Sequence, residues 1–193
     1  MYNLRIIATS TRPGRKSLIF SNWISEIAKE YSGFKTKILD LAEINLPFLD
    51  EPNHPVLRQY VHEHTKDWSA MIEEADAFVI VTPEYNYGFT GVFKNAIDYL
   101  HHEWKFKPAG IVSYGGIAGG TRSVQLMKPV LTALSVMPLM EAVHIPFYVK
   151  SFDAEGRFVP TEDHIKAART MLASLFNWSG ALRTLRREQK TAT

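Results

Sequence analysis

Cysteine is absent from this 193-residue chain, which removes disulfides, thiolate nucleophiles and Cys-ligated metals together. A dominant charge sign is missing as well. The 22 Lys and Arg stand against 20 Asp and Glu, for a net +2, too even a balance to point to nucleic acid or an anionic membrane surface. No apolar run approaches the ~20 residues of a membrane span, and no basic–apolar–small signal segment opens the chain. A cytoplasmic protein with neither membrane nor nucleic acid as partner is expected. The signatures G-x-x-x-x-G-K-[ST], G-x-G-x-x-G and G-x-S-x-G are lacking too. His62-Glu63-His64 and His101-His102-Glu103 lack the i, i+4 spacing with an added carboxylate, so no metal site is expected. His101 and His102 read as favourable charge at a helix C-terminus.

What is present is an ordinary globular composition. A hydrophobic fraction of 46% over this length supports one domain, taken as residues 1–193, burying roughly 70% of its unfolded surface. Apolar strand-like runs recur at Leu4 to Ala8, Lys35 to Leu39, Ala77 to Thr82, Ala109 to Ser113 and Met140 to Val143. Helical stripes lie between them: Ile19 to Tyr31, Leu57 to Ile72, Val92 to Leu100, Val124 to Leu134 and Ile165 to Phe176. The alternation predicts an α/β fold, a flavodoxin-like doubly wound five-stranded parallel sheet of order 2-1-3-4-5 with helices on both faces. Pro129 is expected to cost the fourth helix one hydrogen bond and to kink it. His144 is read as a loop residue. The basic stretch Arg183 to Lys190 is read as a fraying, solvated helix end.

Three loops leave the carboxyl ends of the strands, where such sheets bind ligands. The first, Thr9 to Ser17, offers the hydroxyls of Ser10, Thr11 and Ser17, the cations Arg12, Arg15 and Lys16, and the free amides of a helix start. That chemistry suits a terminal phosphate and suggests a mononucleotide, FMN first among them. The second, Pro83 to Gly91, supplies aromatic faces and backbone groups for a flat heterocycle. The third, Tyr114 to Arg122, carries four glycines where a planar ring could approach backbone.

The motifs resemble a known family. Ser10-Thr11-Arg12-Pro13-Gly14-Arg15, Pro83-Glu84-Tyr85-Asn86 followed by Lys94-Asn95-Ala96-Ile97-Asp98, and Ser113-Tyr114-Gly115-Gly116-x-x-Gly119-Gly120-x-Arg122 are similar to the NAD(P)H-dependent FMN reductases, which include quinone, azo and chromate reductases. The resemblance covers roughly the first 140 residues. It implies that Ser10, Arg12 and Ser17 hold the FMN phosphate, helped by Thr11 and Arg15. It implies that Pro83, Glu84, Tyr85, Asn86 and Tyr87 flank the isoalloxazine and ribityl chain, with Ser113, Gly115 and Gly116 near the other ring edge. Thr9 departs from the family's usual Gly, which a negative φ would accommodate.

The same resemblance implies an enzyme passing a hydride from NADPH or NADH through bound FMN to a small-molecule acceptor such as a quinone, in a ping-pong scheme. The cofactor carries the chemistry, so no side chain is named catalytic. Backbone N–H groups of the second and third loops are expected to stabilise negative charge on the reduced ring. The alternative is a flavodoxin-type one-electron carrier binding FMN. A homodimer or homotetramer is implied, with Trp104 and Phe106 expected at a partner subunit or a substrate mouth.

Overall fold

The computed structural model describes residues 1–31 and 33–191, with side chains as far as Glu188. Five strands, β1 (Tyr2–Ala8), β2 (Phe34–Asp40), β3 (Ala77–Pro83), β4 (Pro108–Tyr114) and β5 (Met137–Ile145), form one sheet in the order β2-β1-β3-β4-β5. Every neighbouring pair is parallel. Parallel neighbours need crossovers rather than hairpins. The helices are α1 (Ser17–Lys29), α2 (Leu41–Ile44), α3 (Glu63–Glu73), α4 (Gly91–Asp98), α5 (Thr121–Ala133) and α6 (Glu162–Thr191).

Strand alternation sorts the core into two layers. Leu4, Ile6, Val79 and Val81 pack beneath α1 and α6 against Phe20, Ile24, Met171 and Leu172. Ile7, Phe78 and Ile80 face the opposite way, against Trp68, Phe93, Ile97, Met127 and Leu131 of α3, α4 and α5. Every residue of β3 and β4 is buried, which explains their unbroken apolar sequences. Each fully buried aliphatic contributes about 1.5–3 kcal/mol of transfer free energy. The layers fix the carboxyl ends of β1, β3 and β4 side by side, at the point where strand order reverses. Among the described residues no helix is long and apolar enough to cross a membrane.

Several expectations are corrected. The helix read from Leu57 starts only at Glu63. Pro55 opens a short 3₁₀ turn that Arg58 ends in a left-handed conformation (φ 53°), leaving Leu57 and Val61 exposed. β5 starts at Met137 and includes His144, so that residue is not in a loop. The strand was hard to read because it is a half-covered sheet edge, with Met140 85% exposed. Trp104 is fully buried, its indole N–H donating to Ile97 O at 3.1 Å, and is available neither to a partner nor to a substrate. Burial lowers the pKa of His101, opposing the helix-end charge expected there. The basic tail is not simply solvated: Arg186 donates to Phe106 O at 2.6 Å and to Asp76 Oδ1 at 2.7 Å. The side chains of Gln189 and Lys190 lie outside the described residues. Pro129 falls within α5, which continues to Ala133.

Candidate active site

The first loop is shaped by its own sequence. Arg12-Pro13-Gly14-Arg15 forms a turn closed by Arg15 N–H to Arg12 O at 3.0 Å. Pro13 presets its own φ, and Gly14 takes the positive φ (74°) that the next position requires. Thr9 is fully buried, and its backbone N–H and hydroxyl both donate to Val81 O at 3.1 Å. Its φ is not positive, so the branched side chain is absorbed into the strand end. Thr9 O in turn accepts from the Thr90 hydroxyl at 2.8 Å, and Thr90 caps α4 through Phe93 N–H at 3.2 Å. The residue that departs from the family pattern thus fastens the first loop to the second.

The proposed phosphate ligands divide into two groups. Ser10 and Ser17 are buried, with Ser10 Oγ 2.8 Å from the Tyr85 hydroxyl and Ser17 Oγ donating to Ser10 O at 3.5 Å. Thr11 and Arg12 stand exposed, and the Arg12 side chain makes no hydrogen bond or ion pair among the described residues. Arg15 is already engaged: its guanidinium meets Asp40 Oδ2 at 2.5 Å, at the end of β2. Beneath them lies Tyr114, whose burial, with Tyr85 adding to it, pushes the phenol pKa well up and keeps it a neutral donor. Lys16 occupies the position before α1 without a side-chain cap, and the first turn of α1 has no acidic residue. The positive end of that helix is therefore left for an outside anion.

In the second loop Tyr85 and Gly88 exchange backbone hydrogen bonds of 2.9 Å. Asn86 (φ 49°) and Tyr87 (φ 70°) both sit in the left-handed region. Tyr87 is a bulky residue held there at a cost of about 1–3 kcal/mol. Tyr87 is 64% exposed, and the Arg122 guanidinium stacks 4.1 Å above its ring. Arg122 also pairs with Glu84 at 2.9 Å, while its backbone N–H donates to Glu84 Oε2 at 3.2 Å. Glu84 therefore ties the second loop to the third. Arg122, given no role from sequence, is the strut between them. Its position two residues after Gly120 was visible, but a partner 38 residues away was not.

The third loop folds as a tight turn, Gly119 N–H to Gly116 O at 3.1 Å, ending at Gly120 (φ 85°) before α5. A Cβ at Gly120 would lie 2.8 Å from Ser113 Cβ, so no larger residue fits. Ser113 is buried, its hydroxyl 2.7 Å from both Gly119 O and His144 Nδ1. It holds the turn from within. Among the described residues the amides of Gly116, Ile117, Ala118 and Gly120 donate no backbone hydrogen bond. They form a row of free donors at the start of α5, suited to a negatively charged ring edge. Residues 147–148 brace the far side, with Phe147 and Tyr148 N–H donating to Gly116 O and Gly115 O at 2.9 and 3.3 Å.

Hydroxyls and helix amides thus neighbour an aromatic turn and a glycine turn with unpaired donors. These residue types fit a flavin mononucleotide. A family model described as NADPH-dependent FMN reductase matches residues 2–150. The chain belongs to this family. It is similar to an NAD(P)H-dependent FMN reductase of Schizosaccharomyces pombe, 40% identical over 144 residues that make up 73% of this chain and 72% of the relative. An NAD(P)H:quinone oxidoreductase of Solanum tuberosum is 37% identical over 160 residues, 77% and 75% of the two chains. Among solved structures, the flavoenzyme NAD(P)H:(acceptor) oxidoreductase FerB of Paracoccus denitrificans superposes with a TM-score of 0.73 at 20% identity, covering 94% and 98% of the two chains. That last likeness speaks to the fold.

A cavity of about 580 Å³ lies at the other end of the sheet from the three loops. Its lining includes Arg58, Asp76, Lys105, Phe106 and Arg186. Two of those cations serve the fold: Arg58 pairs with Glu73 at 3.0 Å and Arg186 with Asp76 at 2.7 Å.

Proposed function

We propose that the chain binds FMN across the three loops, takes a hydride from NADPH or NADH, and delivers the electrons to quinones or similar flat acceptors. The observation that carries this reading is the row of free amides in the Gly115–Gly120 turn beside the buried Ser10 and Ser17 hydroxyls. FMN, when bound, supplies the hydride-accepting and hydride-donating ring. Ser10, Thr11, Arg12 and Ser17 with the first amides of α1 hold the phosphate, and Arg15, braced by Asp40, shapes that loop. Pro83, Tyr85, Asn86 and Tyr87 line one side, fixed by Glu84 through Arg122, and Gly115 and Gly116 line the other. Ser113 acts from inside the turn. No side chain needs to act as acid or nucleophile.

Around the mouth stand exposed apolar groups: Tyr87, Ile117 (74% exposed), Phe147 and Val149. Such a rim favours a flat, apolar partner over a hydrated ion. Donor and acceptor share this one opening, so they take turns. Steady-state rates with a benzoquinone should give parallel double-reciprocal lines, and intersecting lines would reject the shared opening. Residues 1–193 act as one domain in this reading. A homodimer or homotetramer is also proposed, supported by Phe48 (90% exposed), Leu57 and Val61 on the segment between α2 and α3. Sedimentation of a fully active monomer would count against it.

A further inference from the structure

We infer that His144, acting through Ser113, is a positioning residue that makes the Gly115–Gly120 turn bind two-electron-reduced FMN more tightly than oxidised FMN. This rests on the flavin reading above. The hydrogen-bond inventory fixes the direction of each proton. Gly119 O is a carbonyl and can only accept, so the single Ser113 hydroxyl proton goes to it at 2.7 Å. Ser113 Oγ must then accept from His144 at 2.7 Å, so the imidazole carries its proton on Nδ1. Burial, with Lys128 adding to it, lowers the His144 pKa below its ordinary value, which favours the neutral ring.

The consequence runs through one peptide group. In a trans peptide the C=O and the following N–H point in opposite directions. Drawing Gly119 O towards the buried Ser113 therefore turns the Gly120 N–H to the opposite side of the peptide, where its nitrogen lies against Gly115 at the positive end of α5. Gly120 N–H has no backbone acceptor among the described residues. The isoalloxazine of anionic two-electron-reduced FMN carries a negative charge that the oxidised ring lacks, and a fixed donor bonds a charged acceptor about twice as strongly as a neutral one. Loosening the peptide should therefore weaken the reduced form selectively. A residue that merely held the fold would weaken both forms alike.

The test compares the wild type, His144→Leu and His144→Asn, each reconstituted with FMN. Oxidised FMN affinity is read by fluorescence titration, and the midpoint potential of the bound flavin by equilibration with a reference dye. His144→Leu should lose about tenfold more affinity for reduced than for oxidised FMN, which for a two-electron couple is a potential more negative by about 30 mV. His144→Asn keeps an N–H donor facing Ser113 and should return the potential to that of the wild type. An unchanged potential in the Leu variant overturns the proposal, as does an Asn variant that is folded yet matches Leu. A wild type that takes up no FMN overturns the flavin reading itself.

Discussion

Arg12 and Arg15 show how two cations three residues apart acquire different roles. Arg15 closes on Asp40 and stabilises the loop from below, whereas the Arg12 side chain stands exposed with no protein partner among the described residues. A guanidinium without an internal carboxylate beside a helix start is available to a phosphate dianion. Arg12→Ala should weaken FMN binding by roughly ten- to a hundredfold, the worth of a charge-assisted hydrogen bond. Fluorescence titration of the flavin-free protein checks this, and an unchanged dissociation constant would remove Arg12 from the phosphate site. The identity of these residues as phosphate ligands was visible in the chain, since hydroxyls and cations at a strand-to-helix junction carry that meaning locally. Their division of labour was not, because Asp40 reaches Arg15 across the sheet from β2.

At the scale of elements, the central strands were legible and the edge was not. β3 and β4 are buried along their whole length, so their apolar runs stood out. β5 mixes buried and exposed residues, and only Met140 to Val143 of it read as strand. The segment after α2 misled for another reason: its apolar residues Leu57 and Val61 face solvent, imitating a helical stripe without forming one. The glycine turn before α5 makes a sharp demand. Gly120→Ala would place a side chain at φ 85° and 2.8 Å from Ser113 Cβ, so it should destabilise the protein by about 1–3 kcal/mol or more and reduce FMN uptake. Thermal melts with and without FMN would detect both losses; wild-type behaviour would show that the turn relaxes freely. The end of α6 makes a second prediction. Arg186 anchors that helix through Phe106 O and Asp76, so Arg186→Ala should cost about 1.5–3 kcal/mol, seen as a lower denaturant midpoint with flavin affinity unchanged.

The whole molecule divides its tasks between the two ends of the sheet. The amino ends of the strands hold ion pairs that tie α3 and α6 down, and the carboxyl ends hold loops with free donors. The stability of the whole should depend on pH through its histidines. His101, His144 and His164 all have lowered pKa values, burial being the first cause in each. His164 Nδ1 also accepts the Thr161 N–H at 3.2 Å, which a protonated ring could not do. Below their ordinary pKa of about 6.5 the unfolded chain binds more protons than the folded one, so stability falls as pH drops through and below that value and is level above it. Melting temperatures across pH 5 to 8 should show this slope; a rise on acidification would contradict it. Fold class and strand order were readable because period and loop chemistry are local signals. The bonds that hold the three loops in place, Thr9 to Thr90, Glu84 to Arg122 and Ser113 to His144 of β5, were hidden because each joins residues 31 to 81 positions apart.

The most direct test of the three-loop site is the visible spectrum of the protein incubated with FMN, desalted, and then mixed anaerobically with NADPH or NADH. Retained yellow colour that bleaches on adding either nucleotide is the expected result, and it should be lost in step with flavin binding in Arg12→Ala. Colour that survives both nucleotides would contradict the hydride-transfer account in favour of a one-electron carrier, and a colourless desalted protein would contradict the cofactor site itself.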